Sequence, residues 1–189
     1  VITEYTDEIK VEAQKDSLTG LWDRKYTESA INEYLDGGNS GVMYMLDMDD
    51  FKQINDRFGH IRGDEVLVAL ADVIKDCFNS EDIFCRIGGD EFLVFSKGRP
   101  GELNPKAQAD KINLCLKDKI VLPGIESSVS IGIALAPNDG NSFSQLYSNS
   151  DKALYYVKQN GKGGAHFFSD VAEIFSAGHD NCVTLADLE

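Results

Sequence analysis

The stretch Ile83-Phe84-Cys85-Arg86-Ile87-Gly88-Gly89-Asp90-Glu91-Phe92-Leu93-Val94-Phe95 decides the fold. Two short runs rich in β-branched and aromatic residues flank a Gly-Gly-Asp turn, which predicts a β-hairpin. Upstream, GVMYMLDMD (41–49) predicts a buried strand that ends in an acidic pair, Asp47 and Asp49. DFKQINDRFG (50–59) predicts a short helix and turn, and residues 64–78 an amphipathic helix with Val68, Leu70, Ile74 and Phe78 among its apolar positions. Further upstream, DSLTGLWDR (16–24) reads as a turn into a helix running to about Leu35, with Asp16, Ser17 and Thr19 as capping residues and DGGNS (36–40) as its end.

Downstream, residues 98–105 read as a loop and 107–120 as a helix. Residues 127–136 predict a strand with apolar alternation at Val129, Ile131, Ile133 and Leu135. FSQLYSNSDKALYYVKQNGKGG (143–164) predicts a helix closed by glycine, and 165–168 a final strand. A hairpin combined with helical crossovers predicts an α/β (α+β) chain, a mixed sheet covered by helices. At the start, Val1, Tyr5, Ile9 and Glu12/Ala13 recur at near-helical spacing. They predict a helix over 1–15, either the end of a linker or stalk or a terminal helix packed on its own domain. Residues 169–189 hold a short apolar stretch and a polar tail of unassigned role.

The 189 residues suit one domain, and 42% hydrophobic content suits a globular core. The net charge of −14 and the lack of a basic run argue against nucleic acid as a partner. The same charge repels polyanions, so a phosphate-bearing substrate needs local cations, and metal ions are the expected source. Cys77, Cys85, Cys115 and Cys182 form no CxxC, so neither zinc nor a disulfide framework is indicated. No apolar run approaches the roughly 18 residues of a membrane span, and no signal peptide is visible. The chain begins at Val1 without Met and is expected to be part of something longer.

Asp47 at a strand end and Asp90 in the hairpin turn converge if their strands are neighbours. Two such carboxylates repel, and a hard divalent cation such as Mg²⁺ resolves the repulsion. They can equally be ordinary turn carboxylates. Gly88-Gly89 permits close approach of a ligand to the backbone, although hairpins use such turns structurally. Lys52, Lys158 and Lys162 can contact phosphate or stand as solvated lysines. No GxxxxGK[ST], dinucleotide fingerprint, HExxH or Ser-His-Asp spacing is present.

These elements together resemble the GGDEF family, the diguanylate cyclases. Gly88-Gly89-Asp90-Glu91-Phe92 is the signature. DMDDFKQINDRFGHIRGDEVL (47–67) is similar to the family's DxDxFKxxNDxxGHxxGDxxL block, and DSLTGLWDR to its opening motif. SVSIGIA (128–134) and DKALYYVKQNGKG (151–163) resemble its two later blocks. The resemblance covers residues 16–168, taken as the domain. It implies a nucleotidyl-cyclase or polymerase-palm-like mixed sheet of about five strands wrapped by helices.

It also implies site roles. Asp47 and Asp90, helped by the Met48 main-chain carbonyl, would bind two Mg²⁺ or Mn²⁺ ions per active site. Glu91 would lie near the ribose 3′-hydroxyl or a metal. Gly88 and Gly89 would lie against phosphates that Lys52 and Lys158 contact. Lys162 stands where the family usually has Arg, keeping the charge but losing the bidentate fork. Asn55 and Asp64 would read guanine, since a carboxylate accepts from N1–H and the 2-amino group, which adenine lacks.

The implied reaction joins two GTP molecules into cyclic di-GMP with release of two pyrophosphates. It needs a homodimer, because one domain holds one GTP. A cytoplasmic location and an upstream sensor or regulatory domain are further implications, with no membrane insertion by this fragment. The family's inhibitory RxxD is replaced by Asn79-Ser80-Glu81-Asp82, so weak or absent product inhibition is expected there. The alternatives are a catalytically silent module that senses GTP or a cyclic dinucleotide, a cyclase of other or mixed purine preference, and a plain interaction domain.

Overall fold

The computed structural model describes residues 12–98 and 104–177. Its elements in chain order are α1 (Arg24–Asp36), β1 (Gly41–Met48), α2 (Phe51–Phe58), α3 (His60–Cys77), β2 (Ile83–Gly88), β3 (Glu91–Lys97), α4 (Pro105–Lys119), β4 (Val129–Ala136), α5 (Phe143–Gln159), β5 (Ala165–Phe167) and α6 (Phe168–Ala177). The five strands form one mixed sheet in the order β2-β3-β1-β4-β5. All pairings are antiparallel except β4 with β5.

β1 is central and buried along its whole length, because helices cover both faces of the sheet. Side chains alternate between those faces. Val42, Tyr44, Leu46 and Met48 join the core with Leu70 and Ile74 of α3 and Ile112 and Leu116 of α4. Met43 and Met45 join the opposite core with Ile31 of α1 and Leu146 and Leu154 of α5. That alternation puts Asp47 on the Met43/Met45 face, toward α5.

Several boundaries differ from the sequence reading. The helix expected over 64–78 starts at His60, since Gly59 at φ 84° breaks α2 from α3 without a long loop. The cap of α1 is Asp23, whose carboxylate accepts from the Tyr26 amide, rather than Asp16, Ser17 or Thr19. Residues 12–15 form a turn in which Lys15 bridges Trp22, while residues 1–11 of the expected N-terminal helix lie outside the described residues. So do residues 99–103 of the expected loop and 178–189 of the tail. The start of the C-terminal extension is helix α6, with Val171 buried.

Tyr44 is fully buried, and its hydroxyl has no hydrogen-bond partner among the described residues. A buried unpaired hydroxyl carries a desolvation cost without a compensating bond. Tyr44→Phe is therefore expected to stabilise the fold by about 1 kcal/mol, read as a raised urea midpoint. A lowered midpoint would mean that the hydroxyl has a partner.

Candidate active site

The chemistry-bearing residues gather where β1 ends beside the β2–β3 turn. Asp47 is the cross-strand partner of Glu91. The Met48 amide donates to the Asp90 carbonyl at 3.2 Å, which ties the turn to the strand end. Gly89 holds the turn at φ 51°, a left-handed value natural to glycine. Lys158, near the C-terminus of α5, places its Nζ 2.7 Å from Asp47 Oδ2.

Burial raises the Asp47 pKa to about 6; the Lys158 ammonium pulls it down, and the Asp90 and Glu91 charges push it up again. Glu91 is raised as well, first by burial, with Lys158 opposing and Asp151 and Asp90 adding. Asp151 on α5 moves the same way, chiefly through burial. Arg24 lies over the Tyr147 ring at 4.6 Å from its centroid and favours the ionised form of Glu91.

A second group lies across the strand end. Lys162 Nζ is 2.9 Å from Asp50 Oδ1, and both residues hold left-handed backbone, at φ 61° and 56°. Asp50 is the N-cap of α2 but makes no side-chain capping bond there, so the first-turn amides of α2 have no side-chain cap. Lys52 is exposed in that first turn and has no ion-pair partner among the described residues.

Beyond α2, a groove of about 410 Å³ is lined by Leu18, Ile61, Asp64, Val68 and Ala69 among others. Ile61 is 81% exposed on its rim. Asn55 Oδ1 is buried without a partner among the described residues and lies against Gly63, where any Cβ would overlap it. Asp64 therefore follows directly on the residue that packs on Asn55.

Three residues have structural roles that local sequence signals do not reveal. The Arg86 guanidinium donates to the Gly89 carbonyl from Nε (3.0 Å) and Nη2 (2.7 Å), and pairs with Asp16 at 3.1 Å. Asp16 also accepts from the Thr19 amide and hydroxyl, so the opening motif is clamped onto the signature turn. Asp49 is 4% exposed and accepts three hydrogen bonds. Asp82 is 7% exposed and accepts from the Asn79 amide, the Ser96 hydroxyl and the Lys97 amide. An arginine two residues before a Gly-Gly turn was the one available cue to the clamp.

The family described as "Diguanylate cyclase, GGDEF domain" matches residues 13–164. The chain belongs to the GGDEF family. Among curated relatives of this GGDEF chain, "Cyclic di-GMP phosphodiesterase PdeR" of Escherichia coli is 34% identical over 83% of the chain and 24% of its own length. "Bifunctional diguanylate cyclase/cyclic di-GMP phosphodiesterase MucR" of Pseudomonas aeruginosa is 33% identical over 82% of the chain and 24% of its own length. The GGDEF domain therefore spans about a quarter of these proteins. A solved GGDEF domain of TpbB (YfiN) from Pseudomonas aeruginosa superposes with a TM-score of 0.76 at 29% identity, covering 86% of this chain and 99% of that one. The mixed five-stranded sheet wrapped by helices is the fold that this chain shares with that GGDEF domain.

Within this GGDEF domain the structure brings Asp47, Asp90, Glu91, Lys158 and the Gly88-Gly89 turn to one sheet end. Lys162 and Lys52 stand beside it, and Asn55 and Asp64 lie further along α2 and α3. Among the described residues no group of three or more His, Cys, Asp or Glu side chains is gathered to hold a metal alone. The carboxylates of Asp47 and Asp90, near enough for the Asp90 charge to act on Asp47, are hard oxygen donors of the kind that suits Mg²⁺, which is held by one or two carboxylates with substrate phosphates completing its shell. Lys158 against Asp47 marks a place where positive charge is favoured. Among the described residues no helix is long and apolar enough to cross a membrane.

At the position of the family's inhibitory motif, Asn79 supplies no guanidinium and the Asp82 carboxylate is turned inward onto Ser96 and Lys97. If the chain turns over GTP, added cyclic di-GMP is accordingly expected to leave that turnover unchanged through this site. A midpoint of inhibition that shifts on Asp82→Ala would show that the site is used.

Proposed function

We propose that this GGDEF domain is a diguanylate cyclase, condensing two GTP molecules into cyclic di-GMP across a homodimer. The observation that carries the reading is the convergence of Asp47, Asp90 and Glu91 at one sheet end with the Lys158 ammonium on Asp47. Such a carboxylate cluster calls for cations between itself and an anionic substrate.

In this reading the α- and β-phosphates lie over the Gly88-Gly89 turn and the first turn of α2. Lys158, Lys52 and Lys162 contact the phosphates, and Lys162 exchanges its bond to Asp50 for a phosphate oxygen. The guanine enters the groove beside Leu18 and Ile61, where Asp64 accepts from N1–H and the 2-amino group. Asn55 reads the remaining base edge. The 3′-oxygen of one GTP forms a bond to the α-phosphorus of the other, and the bond to the pyrophosphate oxygen breaks in line. The hydroxyl proton is lost toward the carboxylates, with Glu91 placed to take it. Two Mg²⁺ or Mn²⁺ ions, held by Asp47, Asp90 and the Met48 carbonyl, would supply Lewis acidity at the hydroxyl and the phosphates. Repeating the step in the facing domain closes the ring.

The far greater length of the relatives fits a module that answers to a sensor domain in a longer signalling protein, with its GGDEF part in the cytoplasm. The second reading, a silent module that binds GTP or a cyclic dinucleotide, is favoured by one observation. A relative named for the opposite activity, the cyclic di-GMP phosphodiesterase PdeR, shares this domain at 34% identity. Product formation from GTP with Mg²⁺ or Mn²⁺, followed across protein concentrations, separates the two. A rate per protomer that rises with concentration supports the dimeric cyclase. GTP binding without product at any concentration supports the silent module.

The Asp47 pKa of about 6 also predicts a pH dependence. The folded value lies above the unfolded 3.8, so the group favours folding at low pH, and this contribution is lost as pH rises from about 4 through 6. The loss is on the order of 3 kcal/mol. Unfolding midpoints of the metal-free chain should therefore gain on those of Asp47→Asn as pH falls through that window. Parallel curves for the two proteins would reject the shift.

A further inference from the structure

We propose that Asp49 is a positioning residue that holds the glycine turn 161–164, and Lys162 with it, against the nucleotide edge, and that it does not bind a cation. The proposal rests on the cyclase reading only for the identity of the ligand that Lys162 meets.

Asp49 follows β1 directly and is 4% exposed. Its Oδ2 accepts from the Ser128 hydroxyl at 2.7 Å and from the Gly163 amide at 2.9 Å. Its Oδ1 accepts from the Ser130 hydroxyl at 2.7 Å. The Asp49 amide donates to the Ser128 carbonyl at 2.9 Å. One carboxylate thus joins the end of β1, the start of β4 and the turn after α5. Both acceptor positions of Oδ2 are used, and all three donors to the carboxylate are neutral groups of the protein. A cation ligand needs acceptor positions that the protein leaves unused, as in Asp90, whose carboxylate makes no hydrogen bond or ion pair with another described residue.

The turn needs such a hold. Lys162 sits at φ 61°, a conformation that a non-glycine residue keeps only where its surroundings enforce it. The next residue, Gly163, is the one that Asp49 grips. The side chain of Lys162 reaches Asp50, itself left-handed at the N-cap of α2. Neighbouring aspartates therefore hold the turn from two sides, Asp49 by its backbone and Asp50 by its lysine. When an anion draws Lys162 away from Asp50, the Asp49 hold remains and keeps the ammonium in range.

Asparagine can replace this hold. Its carboxamide oxygen can accept from Ser128 and Gly163 while its NH₂ donates to the Ser130 hydroxyl. A metal ligand would not survive that loss of charge. The test measures amide hydrogen exchange at Gly163, Mn²⁺ affinity, and affinity for GTP and for guanosine. It uses the full chain and its Asp49→Asn, Asp49→Ala, Ser128→Ala, Lys162→Ala and Asp49→Ala/Lys162→Ala variants.

Asp49→Ala is expected to speed Gly163 exchange and weaken GTP binding, each by about tenfold, with guanosine affinity unchanged. Adding Lys162→Ala should weaken GTP no further, because the two act as a unit. Ser128→Ala should move both readouts in the same direction and serves if Asp49→Ala does not fold. Asp49→Asn should stay within about threefold of the unsubstituted chain in every readout, Mn²⁺ included. Loss of Mn²⁺ binding in Asp49→Asn to the extent seen in Asp47→Asn overturns the proposal. Additive losses of GTP affinity in the double variant overturn it as well. If the unsubstituted chain binds no GTP, the cyclase reading fails, and Gly163 exchange alone still decides whether Asp49 holds the turn.

Discussion

Asp90→Ala is expected to reduce cyclic di-GMP formation from GTP by about a thousandfold or more, a loss of about 4 kcal/mol in transition-state stabilisation. The expectation follows from the division of labour at Asp90. Its main-chain carbonyl accepts from the Met48 amide and ties the turn to β1, and alanine keeps that bond. Its carboxylate makes no hydrogen bond or ion pair with another described residue and adds to the charge that raises Asp47 and Glu91. The substitution therefore removes a charge from the reacting edge and leaves the fold in place. Thermal unfolding should stay within a few degrees of the unsubstituted chain while turnover disappears. Turnover within tenfold of the unsubstituted chain would remove Asp90 from the reacting machinery.

The second large effect is on stability. Gly132 lies in β4, directly opposite Met45 of β1, with α5 packed against it. A Cβ at this position would overlap the Ser150 carbonyl oxygen and the Leu154 amide. Those atoms belong to the helix backbone, so no side-chain rotation relieves the overlap. Gly132→Ala is expected to force α5 off the sheet at a cost of about 3 kcal/mol or more. In a chain of this size that lowers Tm by about 6–12 °C. Because α5 carries Lys158 and Asp151, GTP affinity should fall with it. A Tm within about two degrees of the unsubstituted chain, by circular dichroism, would mean that the helix can slide without cost.

Much of the fold was legible because its signals are local. The hairpin announces itself through a Gly-Gly turn between apolar runs. β1 shows as an unbroken apolar run because both its faces are buried. The glycine-rich end of α5 marks its own stop. Asp47, Asp90 and Glu91 could be named from strand ends and the signature. That they meet depends on β1 pairing with β3, which the hairpin alone does not specify.

The sequence by itself determined the elements, the family and the residue types at the reacting edge, since periodicity, turn chemistry and motif spacing act between near neighbours. Only the tertiary structure decided what the remaining polar residues do. Asp16 read as a cap, yet it is held by Arg86, 70 positions away. Asp49 read as half of an acidic pair, yet it is spent on Ser128, Ser130 and Gly163. Asp82 read as the remnant of an inhibitory motif, yet it turns inward to the β3 strand. Each carboxylate has the same local chemistry. A hydrogen bond between distant positions leaves no periodic trace, so burial and the partners brought by strand order assign the role.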